Sequence, residues 1–306
     1  MTANLLNSWL SFKGEIAALA AAFLWAVSTV IFGRLGKRLS PVMLNLAKGI
    51  LAIALISLTL LLRQSSPAAI EPVALVYLLL SGVIGIGLGD TAYFSALNHL
   101  GPRRVLLMES LSPPMGAFLA WIFLSEVLEI AACLGIVLTL LGVSWVISER
   151  VPNINPLQSH PWRGVLVGIL AALGQAVGVV LSRAALADSA IAPLWSTLLR
   201  LLGGTVTLLV LLLVQKRLVA DAQPLRSPRV LSILAVAAVL GTYLALWLQQ
   251  TALKFAPTGI AQSLMATSPL FILPIALLLG DRVSLRAIGG VGVALGGVWL
   301  LFAYGQ

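Results

Sequence analysis

The sequence has few of the residues from which metal centres, disulfides and most active sites are built. One cysteine, Cys133, and two histidines occur among 306 residues, and charged residues make up only 9%. A single cysteine has no disulfide partner in its own chain, and we expect it to be buried as a small apolar side chain. His99 and His160 lie near predicted loops and form no metal-binding motif. We therefore expect no enzyme activity, no bound metal and no cofactor.

Apolar residues are correspondingly abundant, at 60% of the chain, compared with about half in soluble domains. They form continuous runs of about 20 residues, the length of a transmembrane helix, and not the alternating pattern of barrel strands. The first run is too long for the apolar part of a signal peptide, so we expect it to remain as a span. The sequence predicts an all-α integral membrane protein with ten transmembrane helices, at 14–33, 41–62, 73–97, 103–124, 130–148, 164–186, 193–214, 229–251, 257–279 and 285–303.

Charge is scarce and unevenly distributed, with 19 basic and 10 acidic residues. In a soluble protein the excess would suggest nucleic acid, but cytoplasmic loops of membrane proteins are themselves rich in Lys and Arg, so no nucleic-acid partner is expected. The loops after spans 2, 4, 6 and 8, with the N-terminal segment, hold Lys13, Arg63, Arg183 and Lys254. The loops after the odd-numbered spans hold Arg34, Lys37, Arg38, Arg103, Arg104, Arg150, Arg163, Lys216, Arg217, Arg226, Arg229, Arg282 and Arg286. This distribution predicts that both termini lie outside.

The second half of the chain repeats the first with small insertions. The matched pairs, at shifts of 152 or 155 positions, include Pro41 with Pro193, Lys48 with Arg200, Ser112 with Thr267, Pro114 with Pro269, and Glu126 with Asp281. We predict two five-span halves, 1–148 and 164–306, joined by a loop at 149–163. An odd number of spans inverts the second half relative to the first, as in secondary transporters with a binding site between the halves.

Several short motifs recur in the two halves, and together they carry a family resemblance. The first helix has an aromatic residue in Ala22-Phe-Leu-Trp25, the second a basic residue, and the fourth a proline break at Ser112-Pro113-Pro114 followed by an acid in Leu124-Ser125-Glu126. The chain resembles EamA-type members of the drug/metabolite transporter superfamily. The resemblance implies exporters of amino acids and other metabolites, a cavity lined by spans 1, 3, 4, 6, 8 and 9, and cytoplasmic termini, opposite to the loop charges. Gln175 departs from the pattern, because it stands where the second half should carry the aromatic residue.

Four ionisable residues are predicted to lie deep within spans: Lys48, Asp90, Glu109 and Arg200. Such residues are costly in lipid and face a bundle interior or a cavity. The two cations either support the scaffold or bind an anionic substrate group. Because burial disfavours a charged carboxyl, either acid could carry a proton and couple transport to a proton gradient. The alternatives are that Asp90 pairs with Lys48, and that Glu109 lies close to the membrane interface.

Other polar, aromatic and helix-breaking residues complete the predicted site. Proposed cavity residues are Trp25, Asn45, Tyr93, Ser112, Gln175, Tyr243, Trp247, Gln250 and Gln262. Prolines proposed to gate the cavity, by freeing backbone carbonyls in mid-span, are Pro113, Pro114 and Pro269. Glycine pairs spaced for close helix contact are Gly85/Gly89, Gly174/Gly178 and Gly292/Gly296.

The sequence therefore predicts a secondary active transporter of a small metabolite, above all an amino-acid-like exporter, that works by alternating access. A facilitative, channel-like carrier is the alternative, and a membrane-embedded enzyme is disfavoured. The expected partners are a small-molecule substrate and the lipid bilayer. We expect a monomer or homodimer in a bacterial plasma membrane.

Overall fold

The computed structural model describes residues 12–64, 70–148, 161–268, 270–271 and 285–304, and these residues contain no β-strand. The α-helices with limits in this part of the chain are α1 (Lys13–Leu35), α2 (Pro41–Leu62), α3 (Pro72–Ser81), α4 (Thr91–Glu109), α5 (Ser112–Leu124), α6 (Ile130–Ser148), α7 (Pro161–Leu186), α8 (Pro193–Val214), α9 (Leu218–Ala222), α10 (Pro228–Ala238), α11 (Ala245–Phe255), α12 (Thr258–Met265) and α13 (Leu285–Tyr304).

The predicted all-helical membrane architecture is confirmed. Six helical stretches are long and apolar enough to cross a membrane: Lys13–Leu35, Pro41–Leu62, Pro72–Leu100, Trp162–Leu186, Pro193–Val214 and Pro228–Phe255. Three shorter apolar helices are Ser112–Leu124, Ile130–Trp145 and Ile288–Leu301. Most of these limits fall within a few residues of the predicted spans. The count of ten spans remains a prediction, since the predicted fourth span is interrupted and much of the ninth, including Pro269, lies outside the described residues.

Two stretches of the chain leave the α-helical pattern for wider π-helical turns. The first π segment, Gly82–Asp90, joins α3 to α4 without a break, and the second, Val239–Leu244, joins α10 to α11. The two segments lie about 155 positions apart, so they occupy corresponding places in the two halves. π turns are rare and concentrate at functional sites.

The break predicted in the fourth span lies just before its prolines. α4 ends at Glu109, and α5 begins at Ser112 with Pro113 and Pro114 in its first turn, where a missing N–H costs nothing. The second half breaks at the matching place, because α12 ends at Met265 and a turn follows. The prolines thus begin a new helical segment instead of bending a continuous one.

Glycines in the first π segment allow it to lie against α7 at backbone distance. A methyl group added to Gly178 would lie 2.9 Å from the Cα of Gly85, and one added to Gly174 would lie 3.1 Å from the Cα of Gly89. Two of the three predicted glycine pairs therefore face each other, as close helix packing requires.

The third glycine pair and the cysteine were wrongly placed by the sequence. A methyl group at Gly292 or Gly296 would meet no atom of the described residues within 4 Å, so these glycines mediate no close packing within that part of the chain. α13 approaches α6 instead through Gly297, and α6 approaches α13 through Gly142. Cys133 is exposed on α6 and not buried, because the lipid-facing surface of a span accepts small apolar side chains as readily as the core does.

Candidate functional site

A cavity of about 180 Å³ lies in the interior of the bundle, between residues of both halves of the chain. Pockets for drug-sized ligands measure about 300–1,000 Å³, so this space suits a small molecule. Ten of the residues predicted from the sequence line it: Trp25, Lys48, Asp90, Tyr93, Glu109, Ser112, Pro113, Gln175, Arg200 and Gln262.

Asp90, at the end of the first π segment, is held by two donors. Lys48 Nζ donates to its Oδ2 at 2.6 Å, and Gln175 Nε2 donates to its Oδ1 at 2.6 Å. The Lys48 and Asp90 side chains are 7% and 17% exposed, and the ammonium also lies 5.1 Å from the ring centre of Phe94, within cation–π range. Lys48 and Asp90 thus form the ion pair that was one alternative for Asp90.

Arg200, the counterpart of Lys48 in the second half, is 1% exposed. Its Nη1 donates to Gln249 Oε1 at 2.9 Å, while its Nε has no hydrogen-bond partner in the part of the chain that the structure describes. The two cations therefore make equivalent contacts, because each donates to a residue of the next span in its own half. They differ in partner, because Lys48 contacts a carboxylate and Arg200 contacts a neutral amide.

Glu109 lies at the last residue of α4, directly before the helix break, and lines the cavity. Its Oε2 is buried and has no hydrogen-bond partner among the described residues. The carboxyl group lies close enough to Asp90 for an electrostatic interaction. Tyr93 and Thr29 line the same cavity. Of the two acids in this site, Asp90 accepts hydrogen bonds with both oxygens, whereas Oε2 of Glu109 accepts none from the described residues.

Trp25 and Gln175 each reach across to the π segment of the other half. Trp25 Nε1 donates to the carbonyl oxygen of Gly241 at 3.0 Å. Gln175 Nε2 lies 3.5 Å from the carbonyl oxygen of Gly85, in addition to its short bond to Asp90. Gln175 thus occupies in the second half the position that Trp25 occupies in the first. It donates through a carboxamide where Trp25 donates through an indole.

A second polar contact joins the halves at the fourth and ninth predicted spans. Ser112 Oγ donates to Gln262 Oε1 at 2.8 Å, and both side chains are buried. Gly116, one turn after Ser112, leaves room for the Gln262 carboxamide, which a methyl group at that position would overlap. The Gln262 carboxamide therefore lies between the hydroxyl group of Ser112 and the helix backbone at Gly116.

Four predicted cavity residues have partners elsewhere. Asn45 is fully buried and donates to the carbonyl oxygen of Ile86 at 2.7 Å and to Thr91 at 3.2 Å. Its hydrogen bonds fix α2 against the first π segment, which is a structural role.

The remaining predictions are accounted for in the same way. Tyr243 bonds Thr59 at 2.8 Å, and Trp247 lies 5.2 Å from the guanidinium of Arg63. The other two that lie away from the cavity lining are Gln250, which accepts from Ser196 at 3.2 Å, and Pro114, which is exposed.

The cavity also contains residues that the sequence reasoning did not place there. Ser28, Thr29 and Phe32 line it from α1. They follow Trp25 at intervals of three, four and seven residues, which is the spacing of one helix face. A search by helical periodicity outward from Trp25 would have found them.

Comparison with known proteins agrees with this architecture. The model of the EamA-like transporter family matches residues 12–148 and again 162–303. No curated protein matches the chain in sequence. A solved structure, described only as a crystal structure of a protein, is similar in fold with a TM-score of 0.75 at 15% identity, over 95% of this chain and 97% of that one. With nearly its whole length matched in two copies, the chain belongs to the EamA-like transporter family, whose members are multi-pass membrane transporters of the drug/metabolite transporter superfamily.

Proposed function

We propose that the protein is a secondary active carrier that moves a small, amino-acid-like metabolite by alternating access. The observation that carries the proposal is the interior cavity between the two halves, lined by two cations and two acids. A central site between repeats is where carriers of this kind bind substrate. A cavity of about 180 Å³ favours a small metabolite over a nucleotide or a disaccharide.

The charges of the cavity support a zwitterionic substrate. Lys48 and Asp90 neutralise each other, which leaves Arg200 with an unpaired Nε and Glu109 with an unpaired Oε2 among the described residues. A guanidinium binds carboxylates well, and a carboxylate binds ammonium groups. One substrate that carries both groups would satisfy both residues at once.

The placement of the cavity supports export. Its lining residues in α1 run from Trp25 to Phe32, in the half of that helix that leads to the basic loop at 36–40. Those in the predicted third span, which crosses in the same direction, run from Asp90 to Leu97. The basic loops indicate the cytoplasmic face. A cavity displaced toward this face would load from the cytoplasm, and we propose that the carrier lies in a bacterial plasma membrane.

Purified protein in liposomes would test the proposal directly. We expect saturable uptake of one or a few amino acids, with no uptake of nucleosides or sugar phosphates, and stimulation by a pH gradient. Uptake that does not saturate and ignores the gradient would indicate the channel-like alternative, and absence of uptake for all amino acids would contradict the proposed substrate class.

Glu109 is the residue that we expect to carry the coupled proton. Replacing Glu109 with glutamine removes the titratable group while preserving its shape, so gradient-driven uptake should fall to the level seen without a gradient. Exchange of substrate across the membrane without a gradient should continue but require a higher substrate concentration, because the carboxamide oxygen still accepts from the substrate's ammonium group without the negative charge of Glu109. Uptake of labelled substrate under both conditions measures the difference.

The control is Glu15→Gln, another conservative change at a buried carboxyl group with an unpaired oxygen. Glu15 lies in the first turn of α1 and does not line the cavity, so this variant should retain the gradient response. If Glu109→Gln kept its response while Asp90→Asn lost it, the proton would belong to Asp90.

A further inference from the structure

Glu126 connects the two halves of the chain at one end of the bundle. It follows α5, directly after Ser125, whose left-handed backbone (φ 55°) turns the chain at the end of that helix. Its Oε1 accepts from Arg183 Nε at 2.6 Å, and its Oε2 accepts from the backbone N–H of Thr258 at 2.8 Å. One carboxylate of the first half therefore holds the end of α7 and the start of α12, which both belong to the second half.

Arg183 extends the same network to a third element of the second half. Its Nη1 donates to the carbonyl oxygens of Leu253 at 2.8 Å and Lys254 at 3.1 Å, in the last turn of α11. Carbonyl groups in the last turn of a helix lack partners within the helix, so a guanidinium satisfies them well. The Arg183 and Glu126 side chains are only 16% and 15% exposed.

The surrounding packing is tight at this end of the bundle. A methyl group on Gly259, in the first turn of α12, would lie 2.9 Å from the Cβ of Ala117 and 3.0 Å from a methyl group of Leu128. Thr258 is fully buried. Among the described residues, α5 and α12 are therefore in direct contact at this end.

This closed end lies opposite the face toward which the cavity extends. Glu126 and Lys254 follow the predicted fourth and eighth spans, and Arg183 lies in the last turn of the sixth. The cavity residues Phe32 and Leu97 lead instead toward the loops after the first and third. A carrier that alternates must open this closed end in its other state. We propose that Glu126, Arg183 and the N–H of Thr258 form an ionic latch that shuts this mouth of the cavity and separates in each transport cycle.

The inference rests on the proposed carrier function, and it adds a role for an acidic residue that the cavity does not use. Both charges are slightly exposed, so water can replace their hydrogen bonds when the latch opens. A fully buried pair would not serve, because parting it would leave charges without solvation.

The latch can be tested by measuring access of a reagent to the closed mouth. The chain has a single cysteine, so Cys133→Ala gives a thiol-free background into which Thr258→Cys introduces one buried thiol. The rate at which a membrane-impermeant maleimide labels this thiol reports how often the mouth opens. We expect Glu126→Gln to raise the rate about 10- to 100-fold, less than complete loss of a buried partner implies, because the carboxamide oxygen still accepts one hydrogen bond.

Two further variants make the result specific. Arg183→Lys keeps the charge but loses the guanidinium fork, so its rate should lie between those of the parent and Glu126→Gln, and it keeps the test available if Glu126→Gln does not fold. Asp221→Asn changes a different ion pair, with the exposed Arg217, and should leave the rate unchanged.

Labelling and transport together separate failure of the latch from failure of the carrier proposal. Unchanged labelling in both Glu126→Gln and Arg183→Lys, in protein that transports normally, would overturn the latch alone. Faster labelling in these variants, in a protein that transports none of the tested substrates, would support the latch as the closure of this mouth and overturn the substrate class proposed above.

Discussion

Replacing Lys48 with methionine is expected to destabilise the protein by about 3–5 kcal/mol, the usual cost of removing one partner of a buried ion pair. Asp90 would keep its bond from Gln175 but would lose its counter-ion in a site where it is only 17% exposed. We expect the thermal midpoint in detergent to fall by on the order of 10 °C. Methionine preserves most of the side-chain volume, so the effect would report charge and not packing.

Two further variants define the interpretation of that result. The double variant Lys48→Met with Asp90→Asn removes both charges and should recover much of the lost stability. Arg217→Met breaks the pair with Asp221, in which the arginine is 59% exposed, and such exposed pairs contribute at most about 1 kcal/mol. A Lys48→Met protein that melts like the parent would show that the buried pair does not support the fold.

Replacing Gly82 with alanine should be at least as damaging. A methyl group at this position would overlap the carbonyl oxygen of Arg200, and the atoms around it belong to the backbone of α8. Backbone atoms cannot rotate away, so we expect a loss of about 3 kcal/mol or more, at the upper end for overpacked cores. Displacing Arg200 would also distort the cavity, so substrate binding should weaken together with the thermal midpoint.

Gly292→Ala is the matched control, because a methyl group there meets none of the residues that the structure describes within 4 Å. Alanine favours helix over glycine by about 1 kcal/mol, so this variant should be as stable as the parent or slightly more stable. Equal loss of stability in the two variants would mean that the effect of Gly82→Ala comes from backbone freedom and not from contact with α8.

The helical spans were predictable because the length of a continuous apolar run can be read directly from the local sequence. The limits of α2 and α8 coincide with the predicted 41–62 and 193–214. The glycine pairs show where such reasoning ends, because spacing places two glycines on one face of a helix but does not say what that face meets. Gly85 and Gly178 pack against each other, while a methyl group on Gly292 would contact none of the described residues within 4 Å.

The site was predictable in its members but not in its connections. Rare buried charges such as Lys48, Asp90 and Arg200 are conspicuous in an apolar sequence, so composition alone identified them. Partners such as Ser112 and Gln262 lie 150 positions apart, and only the packing of helices brings them together. The second π segment has a single glycine, Gly241, and no other feature that distinguishes it from an ordinary span.

The reciprocal hydrogen bonds of Trp25 and Gln175 make the two halves dependent on each other for insertion into lipid. Each half contains a π segment with a polar group that accepts a hydrogen bond from a side chain of the other half. In hydrocarbon, a polar group without such a partner costs several kcal/mol. Neither half therefore satisfies all its polar groups alone, and the transporter becomes fully compatible with the bilayer only when the predicted sixth and eighth spans have packed against the third and first.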